Sequence, residues 1–97
     1  MTDRASRIEA ALRAAFTPSL LRIGDDSARH AGHAGARAEG ETHYSVLLVA
    51  EAFTGMGRVA RSRRVHEVLA AEFGSGMHAL ALTLRSPEEQ ARAEAGG

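Results

Sequence analysis

The feature that most constrains the fold is a pair of aliphatic segments separated by an amphipathic stretch. Residues 42–50 form a β-branched and aliphatic run, and residues 77–84 form a second run with leucine at alternate positions. Between them, a helix over about residues 58–73 is predicted by apolar residues at helical spacing, namely Val65, Val68, Leu69 and Phe73. Strands joined by such a helix are parallel neighbours, so we predict a β-α-β crossover.

A helix and another strand precede this unit. Ser6 followed by Glu9 is typical of a capping box at a helix start, and apolar residues recur at helical spacing up to Phe16. Pro18 disfavours helical backbone at the residue before it, so the helix should end near Phe16. Residues 19–25 alternate aliphatic and polar side chains, which predicts a strand.

The predicted order is helix, strand, strand, helix, strand, which indicates an α+β fold. The simplest arrangement is a mixed three-stranded sheet covered by both helices on one face. Ser86, Pro87 and Glu89 suit the N-cap, N1 and N3 positions of a short C-terminal helix.

The chain is expected to form a single domain over residues 1–97. Its ordered core should cover about residues 5–90. Residues 26–41 are rich in alanine and glycine without a period, so we expect a mobile loop there. A mobile tail is expected over 92–97.

Composition excludes several functional classes. The chain has 12 basic residues, all arginine, against 12 acidic residues, and it has no cysteine. Disulfides, thiol nucleophiles and all-cysteine metal sites are therefore excluded. The sequence has no phosphate-binding loop, nucleophile elbow or zinc-protease motif, so we predict that the protein is not an enzyme. The longest apolar run is far too short for a membrane span and no signal peptide is evident, which favours a cytoplasmic protein without membrane contact.

Four arginines lie in the first two turns of the predicted second helix: Arg58, Arg61, Arg63 and Arg64. A helix N-terminus carries partial positive charge, so cations are unfavourable there. One interpretation is a patch that binds an acidic partner or nucleic-acid phosphate. The other is a solvated helix face, with Arg61 extending over the edge of the core.

The histidines are the candidate metal ligands. His30 and His33 lie in the predicted loop, and His78 opens the last strand directly after a glycine turn. A histidine at a strand mouth is either a hydrogen-bonded structural residue or a ligand, and spacing alone leaves both readings open. His43 and His66 are assigned to structural roles.

Several short motifs, taken in order, resemble the BolA family over about residues 7–90. The resemblance implies the BolA fold, an α-β-β-α-β arrangement similar to the type II KH domain. The motifs are Asp25-Asp26-Ser27 with His30 and His33, Gly40-Glu41-Thr42-His43-Tyr44, Phe53-Thr54-Gly55, Arg61-Ser62-Arg63, Leu69-Ala70 with Glu72, and Met77-His78-Ala79-Leu80-Ala81-Leu82.

The resemblance also implies a function. BolA proteins form heterodimers with monothiol glutaredoxins, share a 2Fe-2S cluster with them, and act in cluster trafficking or in iron and redox signalling. The family's strand-opening ligand matches His78, and its loop ligand matches His30 better than His33. Some bacterial members are DNA-binding transcriptional regulators of stress response and cell morphology, which is the alternative function.

The cluster would need sulfur ligands from outside this chain. Iron–sulfur clusters are held mainly by thiolates, and a chain without cysteine offers only imidazole. A glutaredoxin cysteine and glutathione would supply the sulfur, so no cofactor is expected in the isolated protein. Alone, the protein should be a monomer or a weak homodimer.

Two motifs depart from the family pattern. Ser62 stands at the centre of a motif that is usually Arg-His-Arg, and Gly55-Met56-Gly57 is one residue shorter than the Gly-x-x-Gly loop of KH domains.

Overall fold

The computed structural model describes residues 3–26 and 43–96. Their elements are α1 (Arg4–Phe16), β1 (Leu20–Asp25), β2 (His43–Val49), α2 (Arg58–Val68), α3 (Ala70–Gly74), β3 (Ala79–Arg85) and α4 (Pro87–Gly96), with a 3-10 turn at Glu51–Phe53. This confirms the predicted α+β order. The predicted loop over 26–41 lies, apart from its first residue, outside the described residues.

The three strands form one mixed sheet in the order β1-β2-β3. β1 and β2 are antiparallel, with Leu20 opposite Val49. β2 and β3 are parallel, with His43 opposite Ala79. A parallel pair requires a crossover, and α2 with α3 supplies it, as the sequence pattern predicts.

The core lies between the helices and one face of the sheet. Because side chains alternate along a strand, Tyr44, Val46 and Leu48 share this face and are buried. Ile8 and Leu12 of α1 are completely buried against it. From α2 and the turn that follows it, Val65 and Leu69 belong to the same cluster, while Leu80, Leu82 and Leu84 of β3 pack against it.

The start of α1 differs from the prediction. Asp3, and not Ser6, is the N-cap, since its carboxylate accepts a hydrogen bond of 2.8 Å from the Ser6 N–H. A carboxylate both caps the helix and interacts favourably with the helix dipole. The helix therefore begins at Arg4, and the arginine side chain at that position is buried.

The second predicted helix is divided at Leu69. Leu69 has φ −100° and ψ 15°, and its carbonyl accepts a 3-10-type hydrogen bond of 2.9 Å from the Glu72 N–H. The predicted continuous helix to residue 73 is therefore wrong. The short α3 that follows carries Glu72 into contact with α1.

The last strand and helix also have shifted limits. β3 begins at Ala79, so His78 precedes the strand. The predicted capping box is confirmed, because the Ser86 N–H donates to Glu89 at 2.8 Å and the Glu89 N–H donates to Ser86 Oγ at 3.2 Å. The helix continues through Gly96, so residues 92–96 of the expected mobile tail are helical. Every helix within 3–26 and 43–96 falls short of the length and apolar character that a bilayer span needs.

Candidate functional site

His78 is exposed and directly precedes the N-terminal end of β3, beside the first residue of β2. The His43 and His78 rings are stacked, with centroids 6.2 Å apart and an interplanar angle of 22°. This follows from the strand register, in which His43 pairs with Ala79, the residue next to His78. Among residues 3–26 and 43–96, no hydrogen bond to the His78 ring is present. His78 is exposed among the described residues, a position that suits a ligand as well as a solvated ring.

The turn that leads into His78 is held by a buried arginine. Arg4 Nη1 donates to the Glu72 carbonyl at 3.0 Å and to Ser75 Oγ at 2.9 Å, while Nη2 donates to the Ser75 carbonyl at 3.1 Å. The Met77 N–H donates to the same Glu72 carbonyl at 3.0 Å. Arg4 therefore fixes the main chain immediately before His78.

The carboxylate of Glu72 joins this network. Arg4 Nη1 contacts Glu72 Oε1 at 2.9 Å, and Arg7 Nε contacts Oε2 at 3.1 Å. Hydrogen bonding from Arg7, together with the charges of both arginines, lowers the pKa of Glu72 despite the opposing effect of burial. The sequence did not predict the contact between Arg4 and Glu72, because it spans 68 positions and leaves no local signature.

The predicted loop ligands, His30 and His33, lie outside the described residues. The two ends of the segment that contains them meet at the His78 end of the sheet, where the Asp26 N–H donates to the His43 carbonyl at 2.7 Å. Within the described ranges, no group of three or more His, Asp or Glu side chains is placed to hold a metal ion. A site here therefore needs ligands beyond His78 and His43.

His66 agrees with its structural assignment. Its ring stacks on Phe73, with centroids 5.1 Å apart and an interplanar angle of 12°. His43, also assigned to structure, lies instead beside the principal candidate ligand. The register of the parallel pair β2 and β3 places His43 next to His78, and the separate sequence patterns of the two strands do not give that register.

Arg61 is buried and is not one of the exposed arginines of α2. It is 7% exposed, and its guanidinium donates to the Met56 carbonyl at 2.9 Å and the Leu84 carbonyl at 3.2 Å. Its Nη1 also contacts Glu89 Oε1 at 2.6 Å. The inclusion of Arg61 among the binding arginines is therefore corrected: its donors are used inside the fold.

The other three arginines are exposed and have different neighbours. Arg58 lies beside β3 and α4, Arg63 is exposed elsewhere on α2, and Arg64 lies 3.6 Å from Glu67 in an exposed pair. Such exposed pairs stabilise a fold by less than about 1 kcal/mol. Of the four arginines, Arg58, Arg63 and Arg64 therefore expose their charge and Arg61 does not.

The start of α2 and the imidazole pair lie at opposite ends of the sheet. Arg61 contacts Leu84 near the end of β3, whereas His78 precedes its first residue. At about 3.3 Å per residue, the length of β3 separates the two positions by roughly 20 Å. A ligand held by His78 is therefore out of reach of Arg58 and Arg61.

Comparison with known proteins gives consistent matches. The family profile described as BolA-like protein matches residues 12–89. The chain is 42% identical over 89 residues to protein BOLA1, chloroplastic, of Arabidopsis thaliana, covering 90% of this chain and 56% of that protein. It is 45% identical over 76 residues to the DNA-binding transcriptional regulator BolA of Escherichia coli, covering 78% of this chain and 69% of that protein.

Solved structures match over nearly the whole chain. BolA1 from Arabidopsis thaliana has a TM-score of 0.82 at 41% identity, covering 92% of this chain and 97% of that one. The BolA domain of SufE1 from the same plant has a TM-score of 0.81 at 36% identity, with coverage of 92% and 98%. The chain spans 56% of the full-length BOLA1 protein and 24% of the SufE-like protein 1.

Proposed function

This chain belongs to the BolA-like family, and we propose that it is a non-enzymatic partner of a monothiol glutaredoxin that shares a 2Fe-2S cluster with it. The observation that carries the proposal is the exposed His78 imidazole, which has no hydrogen bond from the described residues and lies 6.2 Å from a second imidazole. The proposed role is cluster trafficking or iron and redox signalling.

The donor chemistry of this chain fits one side of such a cluster. Neutral imidazole binds iron, as in Rieske centres, while thiolate must come from elsewhere because the chain has no cysteine. A cluster bound between two chains supplies a redox-active and transferable iron centre. An exposed ring at a strand mouth is accessible to a partner without a change in the core.

The residues at the N-terminal end of β3 have separate roles in this proposal. His78 is the principal ligand, and His30, or with less support His33, is the second. Arg4 holds the turn before His78 through Ser75 and Glu72, so the ring enters the complex from a fixed main chain. Fewer degrees of freedom are then lost when the complex forms.

The test is pairwise reconstitution with a monothiol glutaredoxin, glutathione, ferrous iron and sulfide. Visible absorption and circular dichroism of the mixture should differ from the glutaredoxin alone, and His78→Ala should abolish that difference. His66→Ala is the matched control, because it removes an imidazole that stacks on Phe73. Identical spectra for the unmodified protein and His78→Ala would refute the proposal.

The second ligand is tested in the same assay. His30→Ala should reduce cluster capture more than His33→Ala does. Normal capture by the combined His30→Ala, His33→Ala and His78→Ala protein would instead assign all three rings to non-ligand roles. Glutaredoxin binding without iron, measured by calorimetry, separates loss of a ligand from loss of the complex.

DNA binding is the second candidate, and the Escherichia coli relative named as a DNA-binding regulator favours it. Exposed Arg58, Arg63 and Arg64 would contact phosphates, without Arg61. Binding to duplex DNA should then weaken steeply with added salt and depend on these arginines but not on His78. Absence of binding at low salt would exclude this function.

A further inference from the structure

A groove of about 590 Å³ runs along the outer edge of β3, at the far end of the sheet from the histidines. The first turns of α2 form one side of the groove and α4 forms the other. Its lining contains four guanidinium groups and one carboxylate: Arg58, Arg61, Arg85, Arg92 and Glu89. Ser62, Leu82, Thr83 and Leu84 complete it.

Within residues 3–26 and 43–96, the outer edge of β3 has no neighbouring strand along this groove. The Arg85 carbonyl accepts a hydrogen bond of 3.0 Å from the Ala50 N–H, so the peptide groups of Arg85 face β2. Peptide groups alternate in direction along a strand, so those of Leu84 and Leu82 face away from β2. The contact of Arg61 with the Leu84 carbonyl at 3.2 Å confirms this direction. Leu82 therefore presents an N–H and a carbonyl to the groove.

The groove carries an excess of positive charge. Glu89 is neutralised by Arg61, and Arg92 pairs with Glu88 at 2.7 Å. Arg58 forms no ion pair with a described carboxylate, and Arg85 donates to the neutral Gln90 side chain at 2.7 Å. Arg58 and Arg85 thus lack a counter-charge among the residues that the structure describes, in a chain whose formal net charge is zero.

We propose that this groove binds an extended acidic segment of a partner protein, which adds as a fourth strand to the edge of β3. The segment would exchange main-chain hydrogen bonds with Leu82, as in other cases of strand addition. Side chains of an added strand point alternately to the two faces of the sheet. Carboxylates on opposite faces would meet Arg58 on the helix side and Arg85 on the other, as charge-assisted hydrogen bonds.

Two observations favour a peptide over nucleic acid. An unpaired strand edge offers a donor and an acceptor at peptide spacing, which a phosphate backbone does not match. Arg63 and Arg64 lie outside the groove, so the cations of α2 do not follow one phosphate track. This proposal does not rest on glutaredoxin pairing, because the groove and the imidazole pair lie at opposite ends of the sheet.

The test uses a fluorescein-labelled nonapeptide in which pairs of adjacent glutamates alternate with pairs of valines, so that both faces of the added strand carry carboxylates, with anisotropy as the readout. Arg58→Glu with Arg85→Glu should weaken binding by about tenfold or more, as expected for loss of two charge-assisted contacts. Arg63→Glu with Arg64→Glu is the matched control, because it makes the same change in net charge outside the groove. Its effect should stay within about twofold at about 0.15 M salt, where distant exposed charges are screened.

A second peptide tests strand pairing on the unmodified protein. Methylation of alternate peptide nitrogens removes main-chain donors while keeping the charges, and it should weaken binding by about tenfold. The Leu82 amide should also become protected from hydrogen exchange on binding the original peptide. Equal affinity for the methylated peptide would overturn the proposal.

Two further outcomes decide between partners and sites. If a single-stranded oligonucleotide of equal charge binds more tightly than the peptide and the Arg58→Glu, Arg85→Glu protein loses it, the groove is a nucleic-acid site and the proposal is wrong. His78→Ala should bind the peptide normally. A loss of cluster capture therefore leaves the peptide result unaffected, and the two proposals fail separately.

Discussion

Arg61 and Glu89 form a two-point contact that ties α2 to α4. Nη1 lies 2.6 Å from Oε1 and Nη2 lies 3.2 Å from Oε2. The same guanidinium lies 5.7 Å from the Phe53 ring centroid and donates to two carbonyls. Arg61 therefore joins the turn before α2, the end of β3 and α4 in one cluster, in which Arg61 is buried and Glu89 is partly exposed.

Arg61→Met should destabilise the fold by about 2–3 kcal/mol, because it leaves two carbonyls without this donor and removes the guanidinium from Glu89, whose carboxylate keeps only the Ser86 N–H. Urea unfolding at neutral pH measures the change. Arg64→Met is the matched control: it removes an exposed arginine of the same helix, 3.6 Å from Glu67, and should change stability by less than about 0.5 kcal/mol. Equal losses in the two variants would contradict the structural role of Arg61.

The Arg61 contact also predicts an acid-dependent loss of stability. Hydrogen bonding from Arg61, with a contribution from the Ser86 N–H, lowers the pKa of Glu89 from 4.5 to about 2. A lowered folded-state pKa stabilises the fold above the unfolded value, and this contribution disappears as pH falls from about 4.5 through about 2. Glu89→Gln should reduce the slope of stability against pH in that window.

A carbon-detected NMR titration of the Glu89 carboxyl measures the shift directly. In Arg61→Met the midpoint should rise, yet it should remain below 4.5 because the Ser86 N–H still donates to the carboxylate. A midpoint that does not move in Arg61→Met would assign the shift to Ser86 alone.

Arg4→Met should destabilise the fold by about 2–3 kcal/mol, since a buried donor to Glu72 and Ser75 is lost. The Met77 amide should exchange faster with solvent, because it shares the Glu72 carbonyl that Arg4 helps to fix. Arg13→Met, which removes an exposed pair with Glu9, is the control and should cost less than about 0.5 kcal/mol. Unchanged Met77 exchange in Arg4→Met would refute the link to the turn.

The local parts of the fold were predictable from sequence. Alternating leucines fixed the face of β3, and Ser86 with Glu89 identified the start of α4, because both signals come from neighbouring residues. The start of α1 was predicted at the wrong residue, since Asp3 and Ser6 both suit an N-cap. Which of the two caps the helix depends on the long-range contacts of the buried Arg4.

The long-range parts were not predictable in the same way. The sequence left two interpretations of Arg61, a binding residue or a side chain over the core edge. The structure selects the second through Glu89, a partner 28 positions away. The position of His43 beside His78 follows from register, which needs the paired strands and not the separate patterns.

The turn before α2 provides a last prediction, because its two glycines have opposite requirements. Gly55 has φ 84°, a left-handed conformation that favours glycine, whereas Gly57 has φ −71° and caps α2 without a side-chain hydrogen bond. Gly55→Ala should therefore destabilise the fold by about 1 kcal/mol. Gly57→Ser should stabilise it by about 0.5 kcal/mol, since serine supplies the missing cap and restricts the unfolded chain.

Urea unfolding of the two variants measures whether each substitution lowers or raises the free energy of unfolding. A Cβ at either position meets no atom within 4 Å, so neither result is confounded by a clash. Backbone conformation and capping alone then distinguish the variants. Stabilisation by Gly55→Ala would show that the turn adopts a different conformation in solution. Destabilisation by Gly57→Ser would show that Gly57 is not the N-cap of α2.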